Sequence, residues 1–207
     1  MHNNFSIAYL IIAHENPGRL KNLIQKLSAP WVSIYIHIDA KVDIEPFRPL
    51  QNLKNVTLLE DTRIKVYWGG WSQVEATLAI MRIALKQKRH DRLVLMSGSC
   101  YPLFSQEYIR SFFKGNNLEY LSSAKMPNPN NGKPLTRLTR WRLEGGSREQ
   151  GLKPLSIRLI NKILQFAPRN ISNALGKNYP TQDQIGGHSQ PLRLKKYFLK
   201  PRKIQNS

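Results

Sequence analysis

Residues 7–13, Ile-Ala-Tyr-Leu-Ile-Ile-Ala, form an unbroken apolar run. A run of that length with no polar alternation reads as a strand buried on both faces, the mark of a parallel sheet covered above and below. It is closed by His14-Glu15 and then by Asn16-Pro17-Gly18, a breaker that can also open a helix, because proline is tolerated in a first turn. Leu20, Leu23, Ile24 and Leu27 follow at helical spacing with Lys and Arg between them. Pro30 stops that helix, and Val32 to Ile38 (VSIYIHI) reads as a second strand, rich in β-branched residues and ending at Asp39.

The alternation continues. A loop containing Pro46 and Pro49 leads to a third short strand, Asn55 to Leu59. Gly69-Gly70 marks a turn or a close approach. Ser72 to Lys88 is the strongest helical stretch; Val74, Leu78, Met81 and Leu85 share one face, and Ser72 with Glu75 fits a capping box. Arg92 to Met96 is a fourth strand, entering the turn Ser97-Gly98-Ser99-Cys100-Tyr101-Pro102. Gln106 to Phe113 reads as a short helix and Leu118 to Leu121 as a further strand. This order predicts an α/β fold, Rossmann-like, with a mostly parallel sheet and helices on both faces. Ligands of such sheets sit beyond the carboxyl ends of the strands, which gathers His14, Asp39 and the turn 97–101 onto one surface.

The pattern changes near Pro127. Met126 to Pro134 (MPNPNNGKP) is loop-like, and Leu155 to Phe166 reads as a basic amphipathic helix; a membrane-surface role is one reading of it, and the favoured one is an ordinary surface helix packed through Leu159, Ile163 and Phe166. The expected division is a ligand-binding α/β part over residues 1–125 and a basic, poorly patterned part over 126–207. Charge follows the same division: residues 131–207 hold 16 of the 32 Lys/Arg but only 3 of the 13 Asp/Glu, so +13 of the formal +19 falls there. Such a segment attracts phosphates, acidic lipid headgroups or nucleic acid. No helix-turn-helix, zinc-finger or RNP pattern is present, so nucleic acid is not the expected partner. The single cysteine, Cys100, excludes an internal disulfide framework and suits a reducing compartment. No apolar run approaches the roughly 20 residues of a membrane span. The expected location is cytoplasmic, with a peripheral hold on the inner face of a membrane.

Each candidate residue has an ordinary alternative. Asp39 can accept hydrogen bonds from a base or ribose, or simply cap a strand end. His14 can lie against a base or diphosphate, or be a half-buried strand-end histidine. Trp68-Gly69-Gly70-Trp71-Ser72 can present backbone N–H groups to an anion at a helix start, or be core tryptophans around a turn. The turn 97–102 contains no aspartate, so no metal site is expected there. No activating partner for a Cys100 nucleophile is evident in the sequence.

Four segments taken in order carry a resemblance: residues 7–14, 34–41 (IYIHIDAK), 66–78 (VYWGGWSQVEATL) and 95–103 (LMSGSCYPL). Together, across residues 5–125, they resemble the core-2/I-branching β-1,6-N-acetylglucosaminyltransferase and peptide O-xylosyltransferase family, in a bacterial style. The resemblance implies a GT-A type fold and transfer of N-acetylglucosamine or xylose, with inversion, from a UDP-sugar to a hydroxyl of a glycan or glycoconjugate. It also implies that no metal and no separate cofactor are needed. On the same basis Ala13, His14 and Asp39 would hold the uridine, with Trp68, Gly69 and Ser72 beside the nucleotide. Ser97, Gly98, Cys100 and Tyr101 would line the donor-sugar region. Two departures stand out. Cys100 replaces the family's usual aspartate before Tyr-Pro, and a thiol is a poorer acceptor for sugar hydroxyls. After Gly186-Gly187-His188-Ser189-Gln190 the expected aromatic-rich continuation gives way to a basic tail, Pro191 to Ser207. The expectation from that loss of pattern is a truncated or frameshifted acceptor half and impaired activity. No residue is assigned as the general base, although Glu144 and Glu149 are available. The rival reading is a non-enzymatic basic module bound to an anionic membrane surface or nucleic acid.

Overall fold

The structure is a computed structural model and describes residues 5–120, 140–145 and 152–167. These fall into two compact units that part after Asn117. The first is a four-stranded parallel sheet of β1 (Ile7–Ala13), β2 (Val32–Ile38), β3 (Val56–Leu59) and β4 (Arg92–Ser97), in the order β3-β2-β1-β4. Its helices are α1 (Pro17–Leu27), α2 (Trp71–Gln87) and α3 (Gln106–Lys114).

Strand geometry sorts the apolar run by parity, since successive side chains point to opposite faces. Ile7, Tyr9, Ile11 and Ala13 join Leu20, Leu23, Ile24 and Leu27 of α1 and Ile109 of α3 in one buried cluster. Ala8 and Leu10 join Tyr35, Leu59, Ile80 and Ala84 in a second cluster, against α2. The sheet is thus covered on both faces, as the unbroken apolar run requires. Helix α1 begins where expected: Asn16 sits at φ 51°, its side chain accepts the Arg19 N–H at 2.9 Å, and Pro17 follows in the first turn. Between β1 and α3, the buried Tyr9 hydroxyl donates to Gln106 Oε1 at 2.8 Å.

Several expectations need correction. The Pro46/Pro49 segment is not a loop but a 3-10 helix, Glu45–Asn52, which buries Phe47 and Leu50. Proline disfavours an α-helix interior because it lacks the N–H, whereas short 3-10 turns need few bonds. On α2 the inward face is Ser72, Ala76, Ile80 and Ala84, while Val74, Leu78 and Leu85 are exposed and Met81 is only partly buried. Small residues let the helix approach the sheet closely, and that contact outweighs the bulkier stripe behind it. Ser72 is not the cap of α2: Gly70 holds that position, and the Ser72 hydroxyl instead accepts the Tyr67 N–H at 2.9 Å. Leu118 to Tyr120 form no strand; Leu118 and Tyr120 are exposed, so no apolar face holds them to a sheet. Leu121 lies outside the described residues.

The second unit contains α4 (Leu152–Leu164), a turn longer at its start than the sequence indicates. Leu159, Ile163 and Phe166 do not pack as expected but are exposed. The proline-rich stretch 126–134, Glu149, the Gly186–Gln190 segment and the basic tail lie outside the described residues.

Candidate functional site

From β1 the chain builds outward through β2 to β3, then crosses to the other side of β1 to form β4. The carboxyl ends of β1 and β4 therefore flank a topological switch point, the place where sheets of this kind bind their ligands. The residues singled out in the sequence meet at this end. Asp39 N–H donates to the Ala13 carbonyl at 2.9 Å, and Gly98 N–H donates to the Ile12 carbonyl at 2.9 Å. Gly98 is required by packing: a Cβ there would stand 2.6 Å from the Ala13 Cβ. Ala13 is thus clasped between the ends of β2 and β4.

Asp39 is buried and does two jobs. Its Oδ1 accepts the Lys41 N–H at 2.9 Å and the Val66 N–H at 3.2 Å, and its Oδ2 lies 3.6 Å from Lys41 Nζ. The strand-end capping role is therefore real. A carboxylate has about four lone-pair sites, so acceptor capacity remains beyond these bonds. Lys41 Nζ also lies 4.7 Å from the centre of the Tyr67 ring, at cation–π range.

The loop after β3 is fastened to β2 by residues for which the sequence suggested no role. Arg63 donates to the carbonyls of Ile38 (3.2 Å), Asp39 (2.8 Å) and Val42. Fully buried His37 accepts the Ile64 N–H on Nε2 at 2.9 Å, and Ala40 N–H donates to the Ile64 carbonyl at 3.0 Å. Burial pushes the His37 pKa below the usual histidine value, with Arg63 adding in the same direction against the opposing pull of Asp39. A histidine in the middle of a β-branched strand was the available signal. Arg63 carried none, because its partners are backbone groups.

Fastened this way, the loop ends in a tight turn. Gly70 N–H donates to the Tyr67 carbonyl at 3.0 Å, with Gly69 at φ +76° in the third position, the geometry of a type II turn. Trp68 at the tip is 87% exposed, and Trp71 is exposed as well. Neither tryptophan is a core residue, so the ordinary reading of that motif fails. The loop that carries this aromatic surface is bonded to the buried carboxylate through Val66, two residues before Trp68.

The remaining candidates are distributed less tightly. His14 is exposed just past Ala13. Ser97 Oγ and Ser99 Oγ are 3.0 Å apart, and the Cys100 N–H donates to the Ser97 carbonyl at 3.0 Å. Cys100 packs against the core on the α1 side, and Tyr101 lines a separate open cleft of about 420 Å³ with Lys26, Gln106 and Glu107. Among the described residues, no three His, Cys, Asp or Glu side chains come together to hold a metal ion.

A parallel α/β sheet with polar and aromatic groups collected at its switch point defines a Rossmann-like, GT-A-like binding fold. A model of the core-2/I-branching enzyme family matches residues 7–156, and the chain belongs to that family. It is similar to a human probable beta-1,3-galactosyl-O-glycosyl-glycoprotein beta-1,6-N-acetylglucosaminyltransferase 7, with 24% identity over 124 residues. That match takes in 56% of this chain and 29% of the human protein, so the chain spans less than a third of that relative's length.

Proposed function

We propose that residues 5–117 form the donor-binding part of a glycosyltransferase that takes a UDP-sugar, N-acetylglucosamine before xylose, and passes the sugar to a glycan hydroxyl. The observation that carries this reading is the convergence of Ala13, Asp39 and Gly98 at the switch point, with the Trp68 turn tied to Asp39 through Val66. Family membership and the name of the human relative favour N-acetylglucosamine. In this reading Asp39 accepts from the uracil or ribose, Trp68 covers the base, and His14 lies near the diphosphate. Ser97 and Gly98 approach the donor sugar.

The transfer balances as a single displacement. The acceptor oxygen forms a bond to the anomeric carbon as the bond to the diphosphate breaks. UDP leaves, and the hydroxyl proton passes to a general base. Glu144 lies in the second unit, and no residue is assigned as that base. The proposed reaction uses no metal.

Calorimetric titration with UDP, with ADP as the control, tests the donor site. Selective binding of UDP is expected. Trp68→Ala, at an exposed position, is expected to weaken it about tenfold, the scale of one lost base–aromatic stack. Asp39→Asn keeps an oxygen for Val66 and Lys41 while removing the charge, and is expected to weaken UDP binding without unfolding the chain. Equal binding of UDP and ADP by folded protein would remove the reading.

A further inference from the structure

We propose that α4 is an interfacial helix that lies on an anionic lipid bilayer. At about 100° per residue, Leu155, Leu159 and Ile163 fall along one stripe, Phe166 follows in the turn just past the helix end, and Asn161 falls about half a turn away from the stripe. The structure assigns opposite fates to these two sides. Asn161 is held to its own unit by a reciprocal pair of bonds: Leu143 N–H donates to Asn161 Oδ1 at 2.7 Å, and Asn161 Nδ2 donates to the Leu143 carbonyl at 2.9 Å. Ile157 and Leu164, on the same side as Asn161, are half-buried. The stripe faces outward, with Leu159 62%, Ile163 63% and Phe166 79% exposed.

Three large apolar side chains in one register along a helix, with Phe166 just past its end, are too many to leave in water without an occupant. Charge selects the occupant. Every charged residue of α4, Lys153, Arg158 and Lys162, is basic, and Arg158 and Lys162 lie along one edge of the apolar stripe on the wheel. Arg140 and Arg142 are exposed in the segment that Asn161 ties down, and with Glu144 between residues 140 and 145 that segment still carries a net positive charge. An apolar face edged by cations is the pattern of a helix that sinks its side chains into the acyl boundary while lysine and arginine meet lipid phosphates. A protein groove would need acidic rims, and a second copy of this helix would bring like charges together. The family match ends at residue 156, so most of α4 lies beyond the matched residues.

The test is flotation of the full chain with vesicles of phosphatidylcholine alone and of phosphatidylcholine mixed with phosphatidylglycerol. Binding to the mixed vesicles is expected. The double variant Leu159→Ser, Ile163→Ser changes exposed, uncharged positions, and is expected to lower partition about tenfold or more with circular dichroism unchanged. Arg158→Gln with Lys162→Gln is expected to lose most of the preference for the anionic vesicles. Failure to float with either vesicle overturns the proposal. So does binding that the double serine variant leaves intact, because it would then come from bulk positive charge. A dimer in sedimentation that the serine variant dissociates would also overturn it, since the stripe would be occupied by a second copy. None of these outcomes depends on UDP binding.

Discussion

At the scale of single residues, the site end of the sheet is set by steric and hydrogen-bonding details with sharp consequences. Gly98→Ala would drive a methyl into the Ala13 Cβ, and is expected to cost about 1–3 kcal/mol. Adding Ala13→Gly removes the opposing atom, so a double-mutant cycle by urea denaturation should recover part of that loss. His37 gives a pH signature. Its Nε2 accepts the Ile64 N–H, so the native ring is neutral with its proton on Nδ1, and burial lowers its pKa. Below the ordinary histidine value near 6.5, the unfolded chain takes up a proton that the folded chain resists. Stability is therefore complete above that value and falls as pH drops through it, by up to about 1.4 kcal/mol per pH unit for one group. His90, packed edge-on to Tyr35 and also shifted down by burial, acts in the same direction. Urea midpoints at about pH 8 and about pH 5 should show the decline, and His37→Gln should remove part of it while the share due to His90 persists. On the alkaline side Tyr35, its pKa also raised by burial, acts together with Tyr9. Burial pushes the Tyr9 hydroxyl up to about 12, so its contribution holds below about 10 and is lost as pH rises toward 12.

At the scale of elements, α2 shows how helical periodicity can be read correctly and its orientation still missed. The sequence has two apolar faces on opposite sides: the stripe of Val74, Leu78, Met81 and Leu85, and the narrow row of Ser72, Ala76, Ile80 and Ala84. Bulk favours the first. The sheet takes the second, because small side chains allow close contact with Ala8, Leu10 and Tyr35. Ala76→Leu is accordingly expected to destabilise by about 1–3 kcal/mol through overpacking, although leucine is an excellent helix former. Leu78→Ser, on the exposed face, is expected to stay within about 0.5 kcal/mol. Chemical denaturation of the two variants ranks the faces directly. The segment 45–52 teaches a related lesson. Two prolines exclude a long α-helix, but they leave room for a 3-10 helix whose Phe47 and Leu50 complete the α1-side core.

At the scale of the whole molecule, a donor site on the first unit makes stability depend on nucleotide. UDP at about 100 times its dissociation constant should add about 2.7 kcal/mol to unfolding, seen as a raised thermal midpoint, with no comparable shift from ADP. In the proposed metal-free reaction, EDTA should leave that shift unchanged; its loss on chelation would count against the metal-free part of the proposal. The layout behind this expectation was largely legible in the sequence. Four strands, three helices and the loops gathered at the carboxyl end of the sheet follow from apolar runs, helical spacing and the breakers at Asn16-Pro17-Gly18 and Pro30. The fastening of the site was not legible, and neither was the outward turn of Leu159, Ile163 and Phe166.

The division has a physical cause. Sequence alone determined where the chain runs as strand or helix, that the sheet is parallel and doubly covered, and which loops reach its carboxyl end. Those features depend on neighbours within a few positions, through backbone sterics and periodic burial. Only the tertiary structure decided which helix face is buried, that Ala13 and Gly98 touch, and that His37, Asp39 and Arg63 bind the loop that presents Trp68. Those contacts join residues 24 to 85 positions apart. Their partners are mostly backbone amides and carbonyls, which every residue has and which no side-chain pattern reveals.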